Sequence, residues 1–545
     1  MKKIALLILL AFVSDSSYAQ GYFSGDLELR SDFYVRDTSI NTIGAQYDHL
    51  KSSMDSWFSS NYRNEKWGLE VGLRMDFFVN SRLHNPTGDA FTKVKLGNFF
   101  IKKQINKLTV TGGHFYDQFG SGIAFRSYEN RFLGIDNSIF GIHAKYDLTK
   151  NIAIKAFGGL RNDRLSDKAI GTSGAFIKGL NAEGNFKIGE HLTLNPGISL
   201  VNRTISQEDM KDIVENINNK PNFEDRFLPV HNNYIFSGYN NLNFKKISWY
   251  VEGAYKTKEA IVGLDGELID KPGNILFTSL TYSTKGFGIT GQFKRTENFQ
   301  FRDSPLSESG IIKGALNFLP PINKQHSVRL VSRYSPAAQE IGEVAFSLDF
   351  TKKISKKLGF QFTASEIHGL DVSFKHWAKT TLFRELTAEL DFKASKKLKG
   401  DVGFQFVQYS TEFYEFHKGT ANEVLVYTPY LELVYKIDRK KSLRAELQYQ
   451  HTVKDFGQWA FALLEFSMAP NFTISVSDQW NIKKGPNDAS KNNEHYYSIF
   501  TSYTHKVTRF FASYVRQVEG IVCTGGVCRI EPSFNGVKVG MNTSF

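Results

Sequence analysis

The stretch FSGDLELRSDFYVR, from Phe23 to Arg36, puts Phe23, Gly25, Leu27, Leu29, Phe33 and Val35 on one face and Asp26, Glu28, Arg30, Asp32 and Arg36 on the other. Alternation with period two marks a pleated strand wetted on one side only. It runs well past the usual soluble strand of about five or six residues. A strand of this length, tilted, is what crosses a bilayer. After a turn at Asn64-Glu65-Lys66 the pattern returns. Trp67, Leu69, Val71, Leu73, Met75, Phe77 and Val79 stand against Glu70, Arg74, Asp76 and Asn80, again with ions of both signs on the polar face.

Toward the N-terminus, Lys2 and Lys3 precede the apolar run Ile4 to Val13 and the small-x-small site Ser17-Tyr18-Ala19. That order of segments reads as a secretory signal peptide over 1–19. Residues 20–545 are then a single exported domain. The new terminus is Gln20 and not Cys, which argues against a lipid anchor.

Beyond this leader no apolar run reaches the roughly 20 residues of a spanning helix. Mean hydropathy is −0.31. In a membrane barrel, however, lipid-facing and lumen-facing residues alternate and their averages cancel. The aromatic share of 14%, with 47 Phe and 24 Tyr against 13 Pro, fits the interfacial girdles of such a barrel.

Toward the C-terminus the strand-like segments join at Tyr146 to Asn151, Ile188 to His191, Lys245-Lys246, Ser283 to Gly286, Pro320-Pro321, Ser355 to Lys357, Ser395 to Lys397, Asp438 to Lys441, Ala469 to Asn471 and His505-Lys506. Longer polar links lie between these joints. Short periplasmic turns alternating with longer extracellular loops are the rhythm of an outer-membrane barrel. The sequence therefore predicts an all-β fold, a transmembrane antiparallel up-and-down β-barrel of about 26 strands, range 22–28, in the cell outer membrane. No fixed-length repeat of a solenoid or propeller is present. The formal net charge of +12 sits partly in turn lysines such as Lys352, Lys353, Lys356 and Lys357, so it does not define the lumen. Export removes nucleic acid as a partner. Outer-membrane lipid and lipopolysaccharide are the expected surroundings, and no oligomeric interface can be read.

Two links carry predicted structure. In the extracellular loop 204–230, Ser206 and Asp209 form a cap signal, and Met210, Ile213, Val214 and Ile217 recur at helical spacing. Near the end, Cys523 and Cys528 enclose Thr524-Gly525-Gly526-Val527. In an oxidising compartment this points to a disulfide stapling the hairpin 521–530, with free thiols as the alternative. A zinc site would need further His or Cys nearby. The final strand alternates to Phe545 and resembles the signal by which barrels are handed to the outer-membrane assembly machinery.

One stretch breaks the alternation. Residues 114–141, HFYDQFGSGIAFRSYENRFLGIDNSIFG, set Arg126, Tyr128, Glu129, Arg131, Asp136 and Asn137 between the glycine hinges Gly120-Ser121-Gly122 and Gly134. Strand parity makes it an external-side link that folds inward as a constriction or caps the mouth. As a constriction it would set arginines against carboxylates across a solute path, with Tyr128 as a platform for a sugar ring. Alternatively, the ions pair and pin a plug-like loop. Catalytic residues are not expected, because Ser121, Ser127 and His114 lack the strand-turn-helix context of a nucleophile elbow. His368 and His376 form no ligand cluster, so neither metal nor cofactor is expected and the chain does not read as an enzyme.

Over nearly its whole mature length the chain resembles an uncharacterised family of Bacteroidota outer-membrane proteins, a domain of unknown function. The resemblance rests on Gln118 to Gly122, Arg126 to Glu129, Leu133 to Asn137 and Val522 to Arg529. A local resemblance to porins of the alginate-export type rests on Phe119-Gly120 and the pair Arg131 and Asp136. Their spacing, and the lack of a run of lumen arginines, depart from that pattern. The expected function is a porin-like channel for diffusion of small hydrophilic or saccharide solutes. The alternative is a non-conducting barrel serving as scaffold or subunit of a cell-surface or secretion assembly.

Overall fold

The structure, a computed structural model, describes residues 21–545 apart from 84–87, 164–169, 264–265, 307–313, 371–380, 416–422, 487–492 and 525–526; of 521–530 only the backbone is described. The signal peptide expected over 1–19 lies outside the described residues.

Twenty-four strands close a ring in which successive strands pair antiparallel. The first, Gly21–Tyr34, meets the last, Phe534–Ser544, with Asp26 opposite Ser544 and Tyr34 opposite Gly536. Reciprocal bonds tie the seam at its base: the Gly25 amide donates to the Phe545 carbonyl at 2.9 Å, and the Phe545 amide donates to the Gly25 carbonyl at 3.0 Å. Closure leaves no unpaired edge, the condition a sheet must meet to stand in hydrocarbon. A short strand, Phe186–Ile188, pairs only with Leu192–Thr204 and stands outside the ring.

The period-two pattern sorts side chains as the sequence requires. Phe23 is 67% exposed and Phe33 47%, facing outward, while Glu28 and Arg30 of the same strand pair inside. Around the exterior, Ile142, Leu180, Ile198, Leu276 and Val476 are exposed at mid-strand. Exposed Tyr22, Trp67, Trp249, Tyr435 and Tyr503 lie toward one end of the strands, and Tyr234, Tyr255, Tyr427, Trp480 and Tyr497 toward the other. An aliphatic belt between two aromatic girdles is the exterior of a membrane-spanning barrel. No helix among the described residues is long and apolar enough to cross a membrane; the strands do so.

Links at the end that holds both strand termini are tight turns such as Asn106-Lys107 and Lys245-Lys246. Links at the other end include 116–138 and 298–341. The ring has 24 strands, against the expected 26 or so, because Pro320-Pro321 is not a wall turn. It sits inside 298–341, between the wall strands Phe287–Glu297 and Gly342–Lys353. The apolar residues flanking those prolines pack inside the barrel and do not pair in its wall.

The loop after Leu192–Thr204 holds an α-helix over Gln207–Asn218. Ser206 caps it by accepting from the Asp209 amide at 3.0 Å. Met210, Ile213 and Ile217 are buried against Ile205, Ala260 and Leu268, while Val214 lies on the exposed flank. In the terminal hairpin the backbone sets Cys523 directly opposite Cys528; the expected disulfide falls on side chains outside those described.

Candidate functional site

A circular ring of 24 strands is roughly 45–50 Å across, so its lumen is wide unless chain fills it. Two long-end loops, 116–138 and 298–341, turn inward and meet there. In the first, the hinges predicted at Gly120 and Gly122 take φ of +54° and +101°. A Cβ at Gly120 would lie 2.8 Å from Glu252 Oε1, so glycine is needed for close approach as well as for the turn. Glu252, on the wall strand Ile247–Val262, accepts from the Ser121 amide at 2.9 Å, from Ser121 Oγ at 2.6 Å and from Tyr250 Oη at 2.6 Å. The turn thereby brings Phe119, Ile123, Ala124 and Phe125 into full burial. They join wall residues Phe157, Ile177 and Val201 and the second loop's Phe299, Phe301 and Leu316 in one apolar cluster.

The loops are bonded to each other. The Arg126 amide donates to the Leu316 carbonyl at 3.0 Å, the Phe318 amide to the Gly122 carbonyl at 2.9 Å, and Asn317 Nδ2 to the Ile123 carbonyl at 3.2 Å. The second loop is held by cations of the wall: Lys256 Nζ donates to the Gln300 carbonyl at 2.5 Å, Arg203 Nη1 to the Arg302 carbonyl at 2.7 Å, and Lys294 Nζ to the Pro320 carbonyl at 2.6 Å. On the far wall Gln405, Gln448 and Gln450 bond the backbone of Leu330 and Val331. Together the loops form a partition that reaches both sides of the ring.

The six residues singled out in 114–141 divide into three groups. Glu129 and Asp136 meet a wall cation absent from the sequence reading of the site. Arg74, on Leu69–Ser81, is 2.6 Å from Glu129, 2.6 Å from Asp136 and 2.7 Å from its strand neighbour Asp76. Tyr116 Oη also donates to Asp136, at 3.0 Å. Arg131 bonds Glu129 at 3.0 Å and, on the first wall strand, Asp26 and Glu28 at 3.1 Å each. Burial opposes the Arg131 charge, but these carboxylates outweigh it and raise its pKa. Asn137 spends its side chain on the fold: Nδ2 donates to the Arg126 and Ala315 carbonyls, and Oδ1 accepts from the Tyr128 amide at 2.6 Å. Arg126 stands apart. Its guanidinium lies 4.4 Å from the Tyr128 ring centroid and 4.3 Å from that of Phe318. It makes no ion pair among the described residues. Two rings lie within stacking distance of the guanidinium, and its N–H groups make no hydrogen bond among the described residues.

Asp117 fixes the start of the loop, pairing with His143 at 2.9 Å and Lys155 at 3.5 Å. Burial pushes its pKa up, yet the His143 bond, the Lys155 charge and the Gln118 amide hold it below the ordinary carboxylate value. Ser121 and Ser127 both serve as structural donors, Ser127 Oγ to the Asn137 carbonyl at 2.8 Å. His114 packs against Phe99 and Phe140. His368 pairs with Glu366 at 3.1 Å, and His376 lies outside the described residues. Among the described residues no group of three His, Cys, Asp or Glu could hold a metal ion.

A closed, girdled ring whose lumen holds two wall-pinned loops defines the class: an outer-membrane β-barrel. More specifically, the chain belongs to the Family of unknown function (DUF6029), which it matches over residues 1–545. No curated protein matches it. Among solved structures it is similar to the P pilus usher (PapC) translocation pore, with 8% identity, TM-score 0.43, and 96% of this chain and 99% of that one covered. It is also similar to the siderophore receptor PirA from Pseudomonas aeruginosa, with 9% identity, TM-score 0.42, and 97% and 81% covered. For PirA from Acinetobacter baumannii the values are 7%, 0.43, 97% and 81%. Likeness at this level lends the chain none of their ligands or partners. The Bacteroidota and alginate-export resemblances stay at the level of sequence motifs.

Proposed function

We propose that the protein is an outer-membrane transport barrel that passes small hydrophilic solutes, with the two in-folded loops setting what can pass. The observation that carries this reading is the partition itself. Loops 116–138 and 298–341 share an apolar core and are tied to the wall by ions and amides, so they subdivide a lumen that would otherwise be far wider than a small solute. Beside this partition Arg126, Tyr128 and Phe318 offer a cation and two ring faces, chemistry suited to polar solutes with acidic or saccharide character.

A second reading, a non-conducting scaffold, is favoured by the density of wall pins on the second loop. Single-channel recording separates the two. A transport barrel gives discrete conductance steps, and a correctly folded but electrically silent barrel supports the scaffold.

A further inference from the structure

We infer that Arg329 and Arg333, on the lumen turn 328–333, form a binding station for a carboxylate or phosphate group. This deepens the transport reading and rests on it for its role.

The turn is built by local bonds: the Ser332 amide donates to the Val328 carbonyl at 3.0 Å, and Ser332 Oγ donates to the Arg329 carbonyl at 3.0 Å. Three wall glutamines then fix its backbone. Gln448 Oε1 accepts from the Leu330 amide at 2.6 Å, Gln450 Nε2 donates to the Leu330 carbonyl at 2.9 Å, and Gln405 Nε2 donates to the Val331 carbonyl at 3.1 Å. Leu330 and Val331 are buried as anchors. The arginines on either side of this anchor are therefore held in place by the wall.

Two like charges so close destabilise each other unless something neutralises them. Neither arginine makes an ion pair among the described residues. Arg329 Nε donates to the neutral Gln479 Oε1 at 3.1 Å. The side chain is open to solvent and yet ringed by protein, so what it faces is the lumen. That enclosure, and then the charge of Arg333, lower its pKa, while Glu531 opposes them from beyond ion-pair distance.

Arg333 lies 4.6 Å from the Phe456 ring centroid and 4.3 Å from that of Trp459. Its Nη1 is buried and has no hydrogen-bond partner among the described residues. With Nη1 enclosed, the rest of the guanidinium, Nε and Nη2, makes no hydrogen bond among the described residues and is the part that can meet the oxygens of a carboxylate or phosphate. The nearby carboxylate Asp455 receives the Tyr334 hydroxyl at 2.8 Å.

The test uses the purified full chain in detergent, titrated with inorganic phosphate and separately with succinate, and followed by calorimetry and by tryptophan fluorescence. Saturable binding of either probe is expected. Arg329→Gln and Arg333→Gln should each weaken it by about tenfold or more, the loss of one charge-assisted contact. Lys396→Gln, which removes a charge from an exposed short turn, should leave it unchanged. If the glutamine variants lose the heat-modifiable gel shift of a folded barrel, Arg329→Lys and Arg333→Lys replace them. These keep the charge, lose the planar fork, and should still bind more weakly. Absence of saturable binding by the wild type overturns the inference. So does an equal loss in Lys396→Gln, or variant isotherms that overlay the wild type. Conductance is read separately: a silent barrel that binds phosphate keeps the station and removes the transport reading, and a conducting barrel that binds neither probe does the reverse.

Discussion

Arg74 on the wall and Asp136 on the in-folded loop meet at 2.6 Å although 62 residues separate them. Arg74 also holds Glu129 and Asp76, so one buried guanidinium bonds three carboxylates, with Arg131 sharing Glu129. Removing one partner of such a buried cluster costs about 3–5 kcal/mol, because the remaining charges stay desolvated.

Arg74→Ala should therefore release loop 116–138 without opening the ring, whose ladder hydrogen bonds do not involve this side chain. The expected outcome is new protease cleavage within 116–138 while heat-modifiable gel mobility is kept. Unchanged protection of the loop would show that the apolar cluster around Phe119 and Phe125 suffices to dock it.

The pairing of Asp117 with His143 and Lys155 predicts an acid limit to the same docking. Its folded pKa is depressed below the unfolded value. The stabilisation is therefore fully present above the unfolded carboxylate pKa, about 3.9, and is lost as pH falls through the lower folded value. Lys155 also contacts Glu183 at 3.3 Å, which moderates the change. Loop protection should be constant from neutral pH down to about pH 4.5 and fall below about pH 4; Asp117→Asn should be weaker at neutral pH and show a smaller acid-dependent drop. A protection profile identical in both proteins contradicts this.

Arg126→Ala removes a lumen cation that has no carboxylate partner among the described residues, and Arg131→Ala uncovers Asp26, Glu28 and Glu129. Both changes should shift ion selectivity toward cations in reversal-potential measurements, with gel mobility intact. Loss of the folded barrel in either variant would assign these arginines to pinning and not to the solute path.

With Cys523 opposite Cys528 in the hairpin register, the two Cα atoms stand at the roughly 4.5–5.5 Å of antiparallel partners, within the span a disulfide bridges. Thiol labelling of the unreduced, denatured protein should find no free thiol. Two labelled cysteines would refute the bond.

The wall was legible because its code is local: period-two alternation and turn residues placed the first strand, the joints at Lys245-Lys246 and Ser283 to Gly286, and the last strand running to Phe545. The capped helix was legible for the same reason, since Ser206 and the Met210 to Ile217 spacing are neighbours in sequence. The second loop was not. Around Pro320-Pro321 its apolar residues look like strand residues, and nothing local distinguishes an apolar side chain facing lipid from one facing a core inside the lumen. The partners of the site were hidden too. Arg74 reads as one more polar-face residue of a strand, and its bonds to Glu129 and Asp136 exist only once the ring closes. Arg329 and Arg333 carry a spacing signal of two cations four apart, but only the wall glutamines give it meaning.

Single-channel recording of the purified protein in a planar bilayer tests the transport reading most directly. The wild type should give discrete steps, and Arg74→Ala larger or less steady ones as the partition loosens. A wild-type barrel that is folded, inserted and electrically silent, and that stays silent when Arg74 is removed, would contradict that reading.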